Sequence, residues 1–279
     1  MGTSASNAGP KGKTPLLPNW VNDKPNTDIE DIPSTDKPKP DQDKIAVKDD
    51  SISSQTNSWN SAKTAIKKYT NDKTKQNLKK SGRSYVKTYG GFKSAARASA
   101  RGIDYGYTFA SFLGGFVQKG YEQNLKQYGL DDCIGKSSEE VLAKIADKIA
   151  PIGSTNDDAI ARAAIMDTLD TLYEKIISND EDIDSLGSLS EDGLKEAVIE
   201  YTSNYIYKKW VYELGLALEK NNLSEKAVIR LENEIRTFIK SEVLLALKDK
   251  DIKVLDLAAG EGKKIIQNIF ELAYQTIEK

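Results

Sequence analysis

The chain has 279 residues, 38% of them apolar, enough for one sizeable domain or two small ones. It contains no histidine, which excludes histidine-based triads, histidine metal ligands and imidazole acid–base chemistry. The formal net charge of −2 hides a steep gradient: residues 1–50 sum to −2, residues 51–130 to +11 and residues 131–279 to −11. A basic block set beside an acidic one either meets something anionic or lies against its neighbour. The single cysteine, Cys133, permits neither a disulfide framework nor a cysteine-rich zinc site. Without histidine beside it, the thiol reads as a small packed residue rather than a nucleophile.

Residues 1–20, MGTSASNAGPKGKTPLLPNW, predict neither helix nor ordinary strand. Pro10, Pro15 and Pro18 each remove a donor and fix φ, and push Gly9, Thr14 and Leu17 toward extended conformations. Leu16, Leu17 and Trp20 set large apolar side chains among these prolines. An extended peptide stiffened in this way loses little entropy on docking. Removal of Met1 before a residue as small as Gly2 leaves a glycine α-amine. Such an amine titrates near about 7.7–8.0, more than about two units below lysine, so at neutral pH it is the most available amine nucleophile of the chain. Residues 1–20 therefore read as a presented N-terminal recognition tail. Met1–Ser6 also fits the N-myristoylation pattern, which applies only in a eukaryotic host, and one acyl chain binds membranes marginally. The tail lacks the apolar core of a signal peptide, and stretches such as Ser111–Val117 are too short to span a bilayer. The expectation is a soluble, cytoplasmic protein.

Residues 21–58 are rich in Asp, Lys, Pro, Ser and Asn with sparse apolar residues, and read as a disordered linker. Order is expected from near Trp59, where Trp59, Ala62, Ile66 and Tyr69 follow helical spacing. Asn71–Arg83 is polar and basic, and Gly82, Gly90 and Gly91 interrupt the chain there. A second helical pattern runs from Phe92 through Ala95, Ala96 and Ala100 toward Gly102. A third spans Tyr105–Tyr128, with Phe109, Phe112, Leu113, Phe116 and Val117 on a wide apolar face. Gly106, Gly114 and Gly115 weaken that helix by about 1 kcal/mol each relative to alanine, which close helix–helix approach would justify.

Further on, Ser137 to Glu140 forms a capping box before Val141, Leu142, Ile145 and Ile149, and Pro151 ends that helix. Thr155 to Asp158 starts the next, with Ile160, Ile165, Leu169, Leu172, Tyr173 and Ile176 as its stripe. Asn179–Ser188 reads as an acidic loop. Ser190 opens a long helix carrying Leu194, Val198, Tyr201, Tyr205, Ile206, Trp210 and Leu214. Ser224 opens another through Val228, Leu231, Ile235, Phe238 and Leu245, and a last helix covers about Glu261–Ile277. No sustained alternation of period two occurs, so the predicted fold is all-α, a helical domain preceded by a long disordered tail. Residues 59–130 form its basic helical segment and residues 131–279 its acidic helical bundle.

Val254–Gly262 imitates the strand and glycine loop of nucleotide-binding α/β folds. It lacks the βα units that such a fold needs on either side, and reads as a helix end, a glycine turn and the terminal helix. The basic segment offers Lys63, Lys67, Lys68, Lys73, Lys75, Lys79, Lys80, Arg83, Lys87, Lys93, Arg97 and Arg101, with Tyr69, Tyr85 and Tyr89 interleaved. Cations beside stacking aromatics suit sequence-tolerant nucleic-acid binding, and Lys67, Lys68, Lys79, Lys80, Arg83, Arg97 and Arg101 are the candidate contacts with nucleic acid or a partner. The competing reading is a solvated helical face docked on an acidic neighbour in this chain or a partner.

Across Gly2, Thr3, Ser4, Gly9, Pro10, Pro15, Leu16, Leu17, Pro18 and Trp20 the tail resembles the amino terminus of the B component of Qat anti-phage defence systems. These bacterial operons join that component to an ATPase (QatA-type), a QueC-like enzyme (QatC-type) and a TatD-like nuclease (QatD-type). The resemblance implies a non-enzymatic subunit acted upon by its partners. QueC enzymes use ATP to activate the carboxyl group of a 7-carboxy-7-deazaguanine for attack by ammonia. A QueC-like relative that accepts a protein amine would join a 7-deazaguanine to Gly2 through an amide. Thr3 and Ser4 would meet the partner's cleft, and Pro15–Trp20 would anchor outside it. No metal and no cofactor beyond that covalent adduct is expected. The alternative is a helical nucleic-acid-binding or scaffold module acting through residues 59–101.

Overall fold

The computed structural model describes residues 50–178, 182–219, 223–248, 250 and 261–279, with side chains described from Ser58 onward except at 176–178, 216, 218 and 219. Residues Asp49–Lys279 form one compact unit, and the described residues are all-α, as the sequence predicts. The tail 1–20 lies outside the described residues, as do residues 21–49 of the linker and 254–260 of the glycine motif.

Ten α-helices occur among the described residues: α1 (Asp50–Asn71), α2 (Lys75–Thr88), α3 (Phe92–Ala98), α4 (Ala100–Lys119), α5 (Tyr121–Gln127), α6 (Ser138–Ile149), α7 (Asn156–Ser178), α8 (Glu191–Glu219), α9 (Glu225–Leu247) and α10 (Gly262–Glu278). α1 begins upstream of Trp59, where the sequence places the onset of order. The polar run after Asn71 forms α2 rather than an interruption. Thr74 caps it, its hydroxyl accepting from Asn77 N at 3.3 Å, and Gly82 sits inside it. A Cβ at Gly82 would lie 3.0 Å from Ile277 Cγ2 and 3.1 Å from Phe238 Cε1, so glycine admits α9 and α10 to that face.

The Tyr105–Tyr128 segment is two helices, not one. Gly120, with φ of 79°, breaks the chain between α4 and α5 in a conformation that side chains oppose. The acidic loop also holds structure in its described part, a 3-10 turn over Ile183–Ser188 that buries Ile183 and Leu186. Three of the four predicted helix starts are capped by a side chain, while Ser224 stands at the N-cap of α9 without a side-chain cap bond. Ser137 Oγ accepts from Glu140 N, and Ser190 Oγ accepts from Gly193 N at 3.1 Å. Thr155 and Asp158 bond reciprocally, Asp158 N donating to Thr155 Oγ1 at 3.1 Å and the Thr155 hydroxyl to Asp158 Oδ2 at 2.7 Å.

α8 packs against α1, α4, α7 and α9, and α10 against α2, α3, α4 and α9. The predicted α8 residues Leu194, Val198, Tyr201, Tyr205, Ile206, Trp210 and Leu214 are all buried, as are Ile199 and Tyr207 on other sides. A helix apolar round its girth belongs in the middle of a bundle. α4 reaches α8 through glycine. A Cβ at Gly106 would lie 2.6 Å from Tyr201 Cε1, and one at Gly102 would overlap the Tyr205 ring. The Tyr201 hydroxyl donates to the Gly102 carbonyl at 2.7 Å, closing the seam. The basic and acidic segments thus share one core.

Candidate functional site

The predicted tail contacts, Gly2, Thr3, Ser4, Gly9, Pro10, Pro15, Leu16, Leu17, Pro18 and Trp20, lie outside the described residues. The basic segment does not, and its cations separate into two groups. Three serve the fold. Lys73 pairs with Glu234 at 3.2 Å, and Arg101 Nε pairs with the buried Asp158 at 3.4 Å. Arg83 clamps the carboxyl end of α10, its Nε donating to the Glu278 carbonyl at 2.8 Å and its Nη2 to the Lys279 carbonyl. Arg97 donates to Ser94 within its own helix.

The second group faces outward. Among the described residues, Lys63, Lys67, Lys68, Lys75, Lys79, Lys80, Lys87 and Lys93 form no ion pair, and all but the half-buried Lys67 are exposed. α2 and α3 hold no acidic residue, and neither does α1 from Ser58 onward. α2 turns Leu78, Ser81, Gly82, Tyr85 and Val86 inward, so Lys79, Lys80, Arg83 and Lys87 occupy the opposite side.

The interleaved tyrosines do not join that face, which corrects the reading of them as stacking platforms. Tyr69 is buried and its hydroxyl donates to Glu234 at 2.8 Å. Tyr85 is buried, stacks on Trp210 with centroids 5.4 Å apart, and donates to Glu213 at 2.7 Å. Tyr89 is half-buried and donates to the same carboxylate. Burial first, then the neighbouring Glu234, pushes the Tyr69 hydroxyl well above its ordinary range. Burial likewise dominates for Tyr85 and Tyr89, ahead of nearby tyrosines and Glu213. All three stay protonated donors.

A different character appears on α7, α8 and α9. An open groove of about 800 Å³ between the α1–α2 hairpin and α9 is floored by Tyr69, Leu78 and Phe238 and rimmed by Lys75, Lys226 and Arg230. Ile229 in that groove is 52% exposed, Leu245 60% and Tyr212 55%, so α8 and α9 leave large apolar side chains in solvent. Leu245 belongs to the predicted run of α9 yet faces solvent, and Ile229 and Tyr212 belong to no predicted stripe. The signal was there: Leu244 and Leu245 are adjacent, and two neighbours on a helix cannot both fit one narrow stripe.

Cys133 is buried, and burial pushes its thiol up from the ordinary value. Among the described residues no group of Cys, Asp and Glu is placed to hold a metal ion, and no helix is long and apolar enough to cross a membrane.

Compared with known families, residues 90–277 match the family described as Qat anti-phage system associated protein QatB. No curated protein and no solved structure matches the chain.

Proposed function

The chain belongs to the QatB family and is thus a subunit of a Qat anti-phage defence system, and from that premise we propose that it is a non-enzymatic subunit whose Gly2 is conjugated to a 7-deazaguanine by a QueC-like (QatC-type) partner. The family membership, which covers the body, joined to the tail sequence, which lies outside the matched residues, is the observation that carries this reading. Gly2 supplies an unhindered amine that is partly deprotonated near neutral pH. That nitrogen attacks the carboxyl carbon activated with ATP. The C–N bond forms, the activating group leaves with the C–O electron pair, and the amine gives up a proton.

Thr3 and Ser4 offer hydroxyls to the partner's cleft, and the Pro15–Trp20 segment anchors outside it. The body then links the tail to the remaining operon products, the ATPase and the TatD-like nuclease being the partners expected. Intact and N-terminal peptide masses of the protein, purified with and without its operon neighbours, test the reading. The expected result is a deazaguanine-sized addition on Gly2 that requires the QueC-like partner. A bare Gly2 amine beside an active partner, or a myristoyl mass, sinks it.

A further inference from the structure

We propose that the solvent side of the α1–α2 hairpin, through Lys79, Lys80 and Lys87 of α2 and Lys63, Lys67 and Lys68 of α1, binds the phosphate backbone of duplex DNA without reading its sequence. Three observations point the same way. First, these lysines are not neutralised by the acidic half of the chain. Among the described cations from Lys63 to Arg101 only Lys73 and Arg101 pair with acidic side chains, while the acidic half pairs largely within itself, as Lys144 with Asp132, Arg162 with Asp147 and Lys240 with Glu200. A single-sign face without counter-charges condenses anions.

Second, the face lacks the anchors of a protein interface. Among the residues whose side chains are described, the exposed large apolar ones, including Tyr212, Ile229 and Leu245, all fall between residues 152 and 245, and none lies on α2, α3 or α1 from Ser58 onward. Protein interfaces are enriched in aromatic residues, Met and Arg and depleted in Lys, the reverse of this composition. Third, the tyrosines that single-strand binding would use for base stacking are turned inward onto Glu234 and Glu213. What is left is ammonium groups alone, which match a dense row of phosphates and carry no base readout. Duplex DNA, with one charge per about 1.7 Å of axis, offers the denser row.

The test uses the full chain and a labelled DNA duplex, with affinity measured by fluorescence anisotropy from about 50 to about 200 mM salt. Wild-type affinity should fall linearly on logarithmic axes, and K79Q/K80Q/K87Q should flatten the slope by about 0.9 for each lysine removed. Across that salt range the triple variant would then lose about 40-fold less affinity than the parent. All three lysines are exposed, so the variant should fold as the parent does, which circular dichroism checks. A chain lacking residues 2–20 should bind DNA undiminished, which separates this proposal from the reading of Gly2. No binding at the lowest salt, an unchanged slope in the triple variant, or tighter binding to single strands or to an RNA duplex overturns it. So does capture of an acidic operon subunit, lost in the triple variant, where DNA does not bind.

Discussion

The hairpin of α1 and α2 and the surface of α8 and α9 rest on the same core yet present opposite chemistry. The hairpin shows solvent a lysine face with its tyrosines folded under it. The other surface shows Tyr212, Ile229 and Leu245, and its charges are mostly paired, Asp167 alone holding both Lys208 at 2.9 Å and Arg236 at 3.0 Å. The whole-chain charge of −2 conceals this division, because it sums cations that are free with cations that are matched. Pairing, not composition, decides what a surface can bind.

The two surfaces meet beneath Trp210, which stacks on Tyr85 of α2 and meets Phe238 of α9 edge-on at 6.2 Å. Trp210→Ala should therefore undermine both at once. The loss expected is about 3–5 kcal/mol, read by chemical denaturation, because truncating a buried aromatic adds a cavity to the lost transfer energy. An effect below about 1 kcal/mol would mean that hairpin and α9 do not share this core.

The glycines of α4 sharpen the comparison with a change of sign. Alanine gains about 1 kcal/mol over glycine in a helix interior, whereas overpacking costs about 1–3 kcal/mol. At Gly106 a Cβ would lie 2.6 Å from Tyr201 Cε1, so Gly106→Ala should lower stability. At Gly114 the nearest atom, Leu194 Cδ2, is 3.7 Å away, an ordinary contact, so Gly114→Ala should raise stability by up to about 1 kcal/mol. Equal signs in thermal unfolding would refute the steric account of the α4–α8 seam.

Much of this frame was legible in the sequence because it is local. Ser137, Thr155 and Ser190 cap their helices through residues three positions away, and the α8 residues from Leu194 to Leu214 advertise their burial by spacing alone. α2 was not legible. Its inward side includes Asn77, Ser81 and Gly82, and Gly82 packs against Phe238 and Ile277, far along the chain. The tyrosines failed for the same reason. A Tyr among lysines can stack outward or turn inward, and Glu213 and Glu234, which decide between these, lie more than 120 positions away. Of the candidate contacts, Lys67, Lys68, Lys79 and Lys80 stand free, while Arg83 and Arg101 are committed to the fold and Arg97 bonds within its own helix.

Arg101, like Lys73, marks a point where the basic segment does meet the acidic one, and there the comparison yields its smallest expected effect. The Thr155 hydroxyl holds the Asp158 carboxyl below the usual carboxylate range, against the burial that would raise it, with backbone hydrogen bonds and Arg101 assisting. A carboxyl whose folded value is depressed stabilises the fold above its unfolded value of about 3.9, and this stabilisation disappears as pH falls through the lower folded value. Thr155→Ala removes both the hydroxyl donor and the cap of α7, and should cost about 1 kcal/mol at neutral pH. The share that depends on Asp158 should vanish in acid, where the carboxyl is protonated in either chain, while the share due to the cap on Asp158 N should persist. Thermal unfolding of both chains between neutral pH and about pH 2 would show the two curves converging only in part. Curves that stay parallel would mean that the Thr155 hydroxyl stabilises α7 through the cap alone and not through the charge of Asp158.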